Sequence, residues 1–253
     1  MFKNIKKSPL LCVGGTFFFH LIQLNMRTIL LLPGAIGAAD QLSVLEKELS
    51  ASFSVHTLNF SGHGGSPLSE ETFSIKLFAL EVIAFLDKKE IASINIFGYS
   101  MGGYVAMYLA KYHPERVNKI ITLATKFNWD ETIAANETKM LNSEKIETKL
   151  PDFAAALQKR HAPNNWKTVL EKTADMLIEM GKDNPLKPGD YPAIQQSVLL
   201  MLGDRDKMVT LDETVQVYKN LPNVQLAILP NTAHPIEMVN QARLAYEIRS
   251  FLG

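Results

Sequence analysis

Three positions in this sequence could together carry acyl-transfer chemistry: a serine at 100, a histidine at 234 and an aspartate at 204 or 206. The serine stands in Gly98-Tyr99-Ser100-Met101-Gly102, a G-x-S-x-G run that directly follows the apolar stretch 93–97. A hydroxyl is a poor nucleophile until a base takes its proton, and a sharp strand-to-helix turn would present it at the edge of a sheet. The flanking glycines permit such a turn and the close backbone packing it requires. The same turn would aim backbone N–H groups at the point where an oxyanion forms. Downstream, the apolar run 197–202 leads into Gly203-Asp204-Arg205-Asp206, and Val224–Leu229 leads into Pro230-Asn231-Thr232-Ala233-His234-Pro235. The histidine could take the serine proton, while a carboxylate could hold the imidazole in one tautomer and stabilise its charged form. Singly, each has a plainer reading as a turn serine, a solvated acidic loop and a loop-end histidine. The order Ser, Asp, His, each behind its own apolar strand, favours the chemistry.

The elements needed to position these residues are legible around them. Thr28–Leu32 reads as the first strong strand, 54–58 as a second and 117–124 as another, the last rich in β-branched residues without polar alternation. Between them, 42–49, 73–87 and 100–112 carry helical spacing, the last ended by Pro114. Near-continuous apolar strands alternating with helices imply an α/β fold with a parallel sheet covered on both faces. Residues 126–190 break the alternation: they are polar and helix-like at 131–141, 151–161 and 166–180, with no strong strand.

Composition narrows the class. The chain has 253 residues, 47% of them hydrophobic, which is enough for one α/β domain with a full core. Twenty-six basic and 26 acidic residues cancel, so no basic stripe points to nucleic acid. The lone Cys12 excludes an internal disulfide and suits a reducing, cytoplasmic setting. Lys3, Lys6 and Lys7 before the apolar stretch 10–24 resemble a signal peptide, but no small-x-small cleavage site follows and the first strand begins at Thr28. Residues 1–25 are therefore expected to be an upstream extension or a misassigned start, with export as the alternative, and 26–253 to be the folded domain. The stretch is shorter than the roughly 20 apolar residues a spanning helix needs, so no membrane is expected as a partner. The glycine-rich turn 59–67 has neither the Lys-Ser/Thr of a phosphate cradle nor a G-x-G-x-x-G. His63 in that turn has no Cys, Asp or second His at ligand spacing, so it reads as a structural loop histidine, with no metal and no cofactor expected.

With these residues in hand, the stretch from about Thr28 to the C-terminus resembles the α/β-hydrolase family. Its G-x-x-D-x-x-V acid loop has a counterpart in Gly203-Asp204-Arg205-Asp206-Lys207-Met208-Val209, and its histidine loop in the segment ending at His234. The resemblance implies Ser100, Asp206 and His234 as a triad, with Asp204 and Asp130 as the competing acids. It also implies that the N–H groups of Ala35 and Met101 form the oxyanion hole. Pro33 departs from the family's common histidine, but the donor one residue past Gly34 survives. Relatives carry a helical lid where 126–190 lies, which implies that Trp129, His161 and Trp166, with Phe153 and Met176, line a substrate pocket; packing of lid helices is the competing role. A mostly parallel sheet of about six strands, flanked by helices, is expected by the same analogy. The activity so implied is carboxylic ester hydrolysis of a small or medium small-molecule substrate through an acyl-serine. Carbon–carbon bond hydrolysis, thioester hydrolysis, pyruvate elimination and a non-catalytic binding role on the same scaffold stand as alternatives.

Overall fold

The computed structural model describes residues 27–253, so the reading of residues 1–25 lies outside the described part. Six strands, β1 (Thr28–Leu32), β2 (Ser54–Thr57), β3 (Ile94–Tyr99), β4 (Val117–Leu123), β5 (Ser197–Gly203) and β6 (Val224–Leu229), make one sheet in the order β2-β1-β3-β4-β5-β6. Every neighbouring pair is parallel. Parallel neighbours require crossovers, and helices supply them. Around the sheet lie α1 (Ser43–Leu49), α2 (Ile75–Lys88), α3 (Met101–Tyr112), α8 (Leu211–Asn220) and α9 (Gln241–Leu252).

Alternate residues along a strand face opposite sides of the sheet, and the core divides accordingly. Leu30, Leu32, Ile96, Ile120, Val198 and Leu200 pack with apolar residues of α2, α3 and α8 on one face. Ile29, Leu31, Phe97, Ile121, Leu199 and Met201 pack with those of α1 and α9 on the other. Both faces being covered explains why the central strands read as unbroken apolar runs. At the edges, β2 and β6 are only partly buried. Helix α2 shows how the pattern arises: Ser74 caps it by accepting from the Leu77 N–H at 3.0 Å, and Ile75, Phe78, Ala79, Val82 and Leu86 form its buried stripe.

Four helices intervene between β4 and β5: α4 (Glu131–Thr138), α5 (Ser143–Lys149), α6 (Pro151–His161) and α7 (Trp166–Lys182). The sequence announces three of them. Helix α5 is short and buries one residue, Ile146, so it has no apolar period to detect, although Asn142 caps it by accepting from Lys145 N–H at 2.8 Å. A small separate core of Ile146, Ala154, Leu157, Trp166 and Leu170 ties α5, α6 and α7 together, and Ile36 from the loop after β1 packs against it.

The strand register fixes where the loops emerge. Leu32 lies opposite Gly98, Tyr99 opposite Leu123, and Gly203 opposite Leu229. The loops after β1, β3, β5 and β6 therefore leave the sheet along the same edge, beyond the carboxyl ends of the strands, where open α/β sheets hold their sites.

Candidate active site

Ser100 is the pivot between β3 and α3, at φ 51° and ψ −116°. A non-glycine residue at positive φ is strained and persists only where its surroundings dictate it. Here its N–H donates to Leu123 O at 2.8 Å, and its carbonyl accepts from Gly103 N–H and from Thr125 Oγ1, each at 3.0 Å. Two glycines make room for the turn. A Cβ on Gly98 would lie 2.3 Å from Gly102 C, and one on Gly102 would lie 2.4 Å from Leu32 O. The turn thus sits flat against the end of β1, and no other residue type fits either position without moving backbone.

The loop after β5 brings in the acid. The Asp206 side chain is 1% exposed, and its Oδ1 accepts from the N–H groups of Met208 at 2.8 Å and Val209 at 2.9 Å. Its Oδ2 accepts from His234 Nδ1 at 2.8 Å. Burial alone would push this carboxyl up. The hydrogen bonds from His234, Val209 and Met208, with the attraction of the imidazole, outweigh that and hold it below the ordinary carboxylate range. An ionised carboxylate can only accept, so Nδ1 carries the ring proton and Nε2 keeps its lone pair free for a proton from a substrate or nucleophile. Asp204 is used differently: its Oδ1 accepts from Thr232 N–H at 3.1 Å, lashing the acid loop to the histidine loop. Asp130 lies apart, capping α4 by accepting from Ile133 N–H at 2.7 Å. Of these aspartates, Asp206 is the one that meets His234. The histidine loop is also held by Tyr99, whose hydroxyl donates to His234 O at 3.0 Å.

The loop Pro33-Gly34-Ala35-Ile36-Gly37 lies against the serine, close enough that a Cβ on Gly34 would come within 3.2 Å of Ser100 Cβ. Its turn is closed by Gly37 N–H donating to Gly34 O at 3.1 Å. Among the described residues, neither Ala35 N–H nor Met101 N–H has a protein acceptor, and Met101 opens α3, where the first amides of a helix have no partner within it. Ala35, Met101, Ser100 and His234 all border one cavity of about 370 Å³. Its walls are mainly apolar, from Ile75, Trp129, Phe153, Leu177 and Met180 among others. Lys126, Glu137, Arg160 and Glu237 add charge at its boundary, with Lys126 and Glu137 paired at 3.4 Å.

Trp129 and Phe153 are thus where the sequence expects pocket residues to be, Trp129 anchored by its Nε1–H donating to Lys126 O at 3.1 Å. Three other expectations need correction. Trp166 is in the small helical core rather than on the cavity, because the apolar stripe of α7 turns it toward Ile146 and Leu157. His161 is wholly buried and spends both ring nitrogens on backbone, with Nε2 donating to Ile36 O at 3.1 Å and Nδ1 accepting from Gly64 N–H at 3.2 Å. Met176 is likewise in the core. His63 is buried against Phe73 and Phe78, with Nδ1 donating to Ser61 O at 2.9 Å. Among the described residues, no group of three or more His, Cys, Asp or Glu side chains could hold a metal, and no helix is long and apolar enough to cross a membrane. Arg160 and Glu237 border the cavity without any sequence signal, because 77 positions separate them and only the fold brings them together.

A family model described as alpha/beta hydrolase fold matches residues 27–164. The chain belongs to the α/β-hydrolase family. Within that family, it is 25% identical over 239 residues to a pimeloyl-[acyl-carrier protein] methyl ester esterase of Vibrio parahaemolyticus, covering 86% of this chain and 90% of the relative. It is 38% identical to the enzyme of the same name from Aeromonas hydrophila over 78 residues, covering 30% of this chain and 29% of that one. Alignments with the first three curated relatives span 37%, 29% and 39% of those proteins' own lengths. Among solved α/β-hydrolase-like structures, a thermophilic esterase from Thermogutta terrifontis superposes with a TM-score of 0.73 at 19% identity, covering 89% of both chains. That likeness is one of fold.

Proposed function

We propose that this chain is a serine hydrolase that works through an acyl-serine intermediate, with carboxylic esters of small or medium size as its substrates. The observation that carries the reading is the 2.8 Å bond from His234 Nδ1 to the buried Asp206 carboxylate, with His234 on the same cavity as the strained Ser100. In the proposed sequence, Ser100 Oγ attacks the ester carbonyl and its proton passes to His234 Nε2. The negative charge that develops on the carbonyl oxygen is met by the N–H groups of Ala35 and Met101. Collapse of the tetrahedral intermediate expels the alcohol, which leaves with the proton from Nε2. Water then repeats the cycle on the acyl-serine and releases the acid. Asp206 holds the imidazole tautomer and offsets its charge throughout. Helices α4 to α7 act as the lid, excluding water and shaping the acyl pocket, with Trp129 and Phe153 against the substrate. The apolar walls favour an apolar acyl group, and the names of the relatives point to esters as well.

The test is labelling with a fluorophosphonate probe read by intact mass, wild type beside Ser100→Ala. A single adduct on the wild type and none on the variant is expected, with ester turnover in the variant reduced by at least about 10⁴-fold. No adduct on folded wild-type protein would reject the activated serine and leave a binding role on this scaffold.

A further inference from the structure

Ile36 lies one residue beyond Ala35 and has φ 51°. For a β-branched side chain this backbone region is strained, so something outside the loop must impose it. Two contacts do so, and both come from the helical segment between β4 and β5. The Ile36 side chain docks on the core of Ile146, Ala154, Leu157, Trp166 and Leu170. Its carbonyl accepts from His161 Nε2 at 3.1 Å, with Arg160 Nη1 a longer second donor at 3.5 Å.

His161 ends α6 and is 0% exposed. A backbone N–H can only donate and a carbonyl can only accept, so its two partners set the tautomer: Nδ1 is bare toward Gly64 N–H and Nε2 is protonated toward Ile36 O. The ring therefore bridges the loop after β1 to the loop after β2. A second tie joins the same loops without reaching Ile36: Asn59 Oδ1 accepts from Ala39 N–H at 2.7 Å, and its Nδ2 donates to Gly64 O at 3.1 Å. Among the described residues, only the imidazole and Arg160 donate to the carbonyl of the strained residue, while the N–H of the same peptide, from Gly37, turns back to Gly34 O within the loop. On the other side of Ala35, Gly34 rests against Ser100.

We infer that His161 is a positioning residue for the oxyanion hole, gripping the Ile36 carbonyl so that the Ala35 N–H is held toward Ser100 and the hole is set by the helical segment. This rests on the serine-hydrolase reading above. A group that aims a transition-state donor acts on kcat, because the donor engages fully only when charge develops on the substrate oxygen. A substrate-contacting residue would act on KM instead, and a merely structural one on the amount of folded protein.

The experiment compares kcat and KM of wild type, His161→Phe and His161→Gln on a chromogenic short-chain ester, with active sites counted by fluorophosphonate labelling carried to completion. Phenylalanine keeps the ring volume and loses both polar contacts; glutamine keeps a donor and an acceptor at similar spacing. His161→Phe is expected to lower kcat per active site by between about tenfold and 100-fold, with KM within about twofold. His161→Gln is expected to recover most of that, staying within about fivefold of wild type. If His161→Phe does not fold, His161→Asn takes its place, since its shorter amide can still accept from Gly64 but falls short of Ile36 O. Unchanged kcat per site, a raised KM with kcat intact, or no recovery by glutamine would each overturn the inference while leaving the hydrolase reading in place. A wild type that neither labels nor turns over would overturn that reading, and this inference with it.

Discussion

Both oxygens of the Asp206 carboxylate are committed, Oδ1 to two backbone amides and Oδ2 to the imidazole, and this sets what replacing it would do. Asp206→Asn removes the charge and leaves an amide that either faces the two N–H donors with its own NH₂ or loses the bond to His234 Nδ1. Ester turnover is expected to fall by about 10⁴-fold with the fold retained. Asp204→Asn keeps an oxygen for Thr232 N–H, and its turnover should stay within about tenfold of wild type. Steady-state kinetics on the pair decides, and the reverse ranking would assign the acid to Asp204. The depressed Asp206 pKa also has a sign. Its contribution to stability is present above the unfolded carboxylate value of about 3.9 and is lost as pH falls through the lower folded value. At this scale the sequence was informative where chemistry restricts residue type: a serine between turn glycines and a histidine and acids at strand ends. It was silent where only side-chain direction matters. His161 and Trp166 look the same on a polar helix whether they face a cavity or a core, and packing of α6 and α7 decided against the cavity.

Among the elements, the turn between β3 and α3 has the least latitude. With its Cβ placed 2.4 Å from Leu32 O, Gly102→Ala must push α3 away from the end of β1. It is expected to destabilise the protein by about 1–3 kcal/mol, the usual cost of overpacking, and to lower activity further by moving Met101 N–H. Urea denaturation checks the first effect and active-site-normalised turnover the second; a variant as stable and active as wild type would contradict the packing described. Strands with both faces buried and helices with a full apolar stripe announce themselves, which is why β3, β4, β5, α2 and α3 were legible. Helix α6 was too, since Pro151 pre-sets its first turn. Helix α5 was not, because one buried residue makes no period.

For the molecule as a whole, the buried histidines limit acid stability. His63 donates through Nδ1 to Ser61 O, while its Nε2 is buried with no protein partner among the described residues. Protonation would strand a charged N–H there, so burial first, with the neighbouring His161 adding to it, pushes His63 down to about 4. A histidine with a lowered folded value stabilises fully above its unfolded value of about 6.5 and loses that contribution as pH falls toward 4, a change of about 3 kcal/mol. His63→Gln should be less stable at neutral pH but flatter in its urea midpoint between pH 6.5 and 4. Parallel curves for the two proteins would show that His63 does not titrate in that window.

The strand order β2-β1-β3-β4-β5-β6 has one more consequence, for the way the protein is born. Once β1 and β2 have paired, β3 adds to the free edge of β1, and β4, β5 and β6 each add to the strand before them, in the order a ribosome delivers them. The serine turn, between β3 and α3, can therefore form while the nascent chain is still growing. Asp206 and His234 follow β5 and β6, the last two strands to arrive, and Thr232 N–H can reach Asp204 only when both are docked. On the serine-hydrolase reading proposed above, the nucleophile would be laid down early and the proton acceptor that arms it installed last.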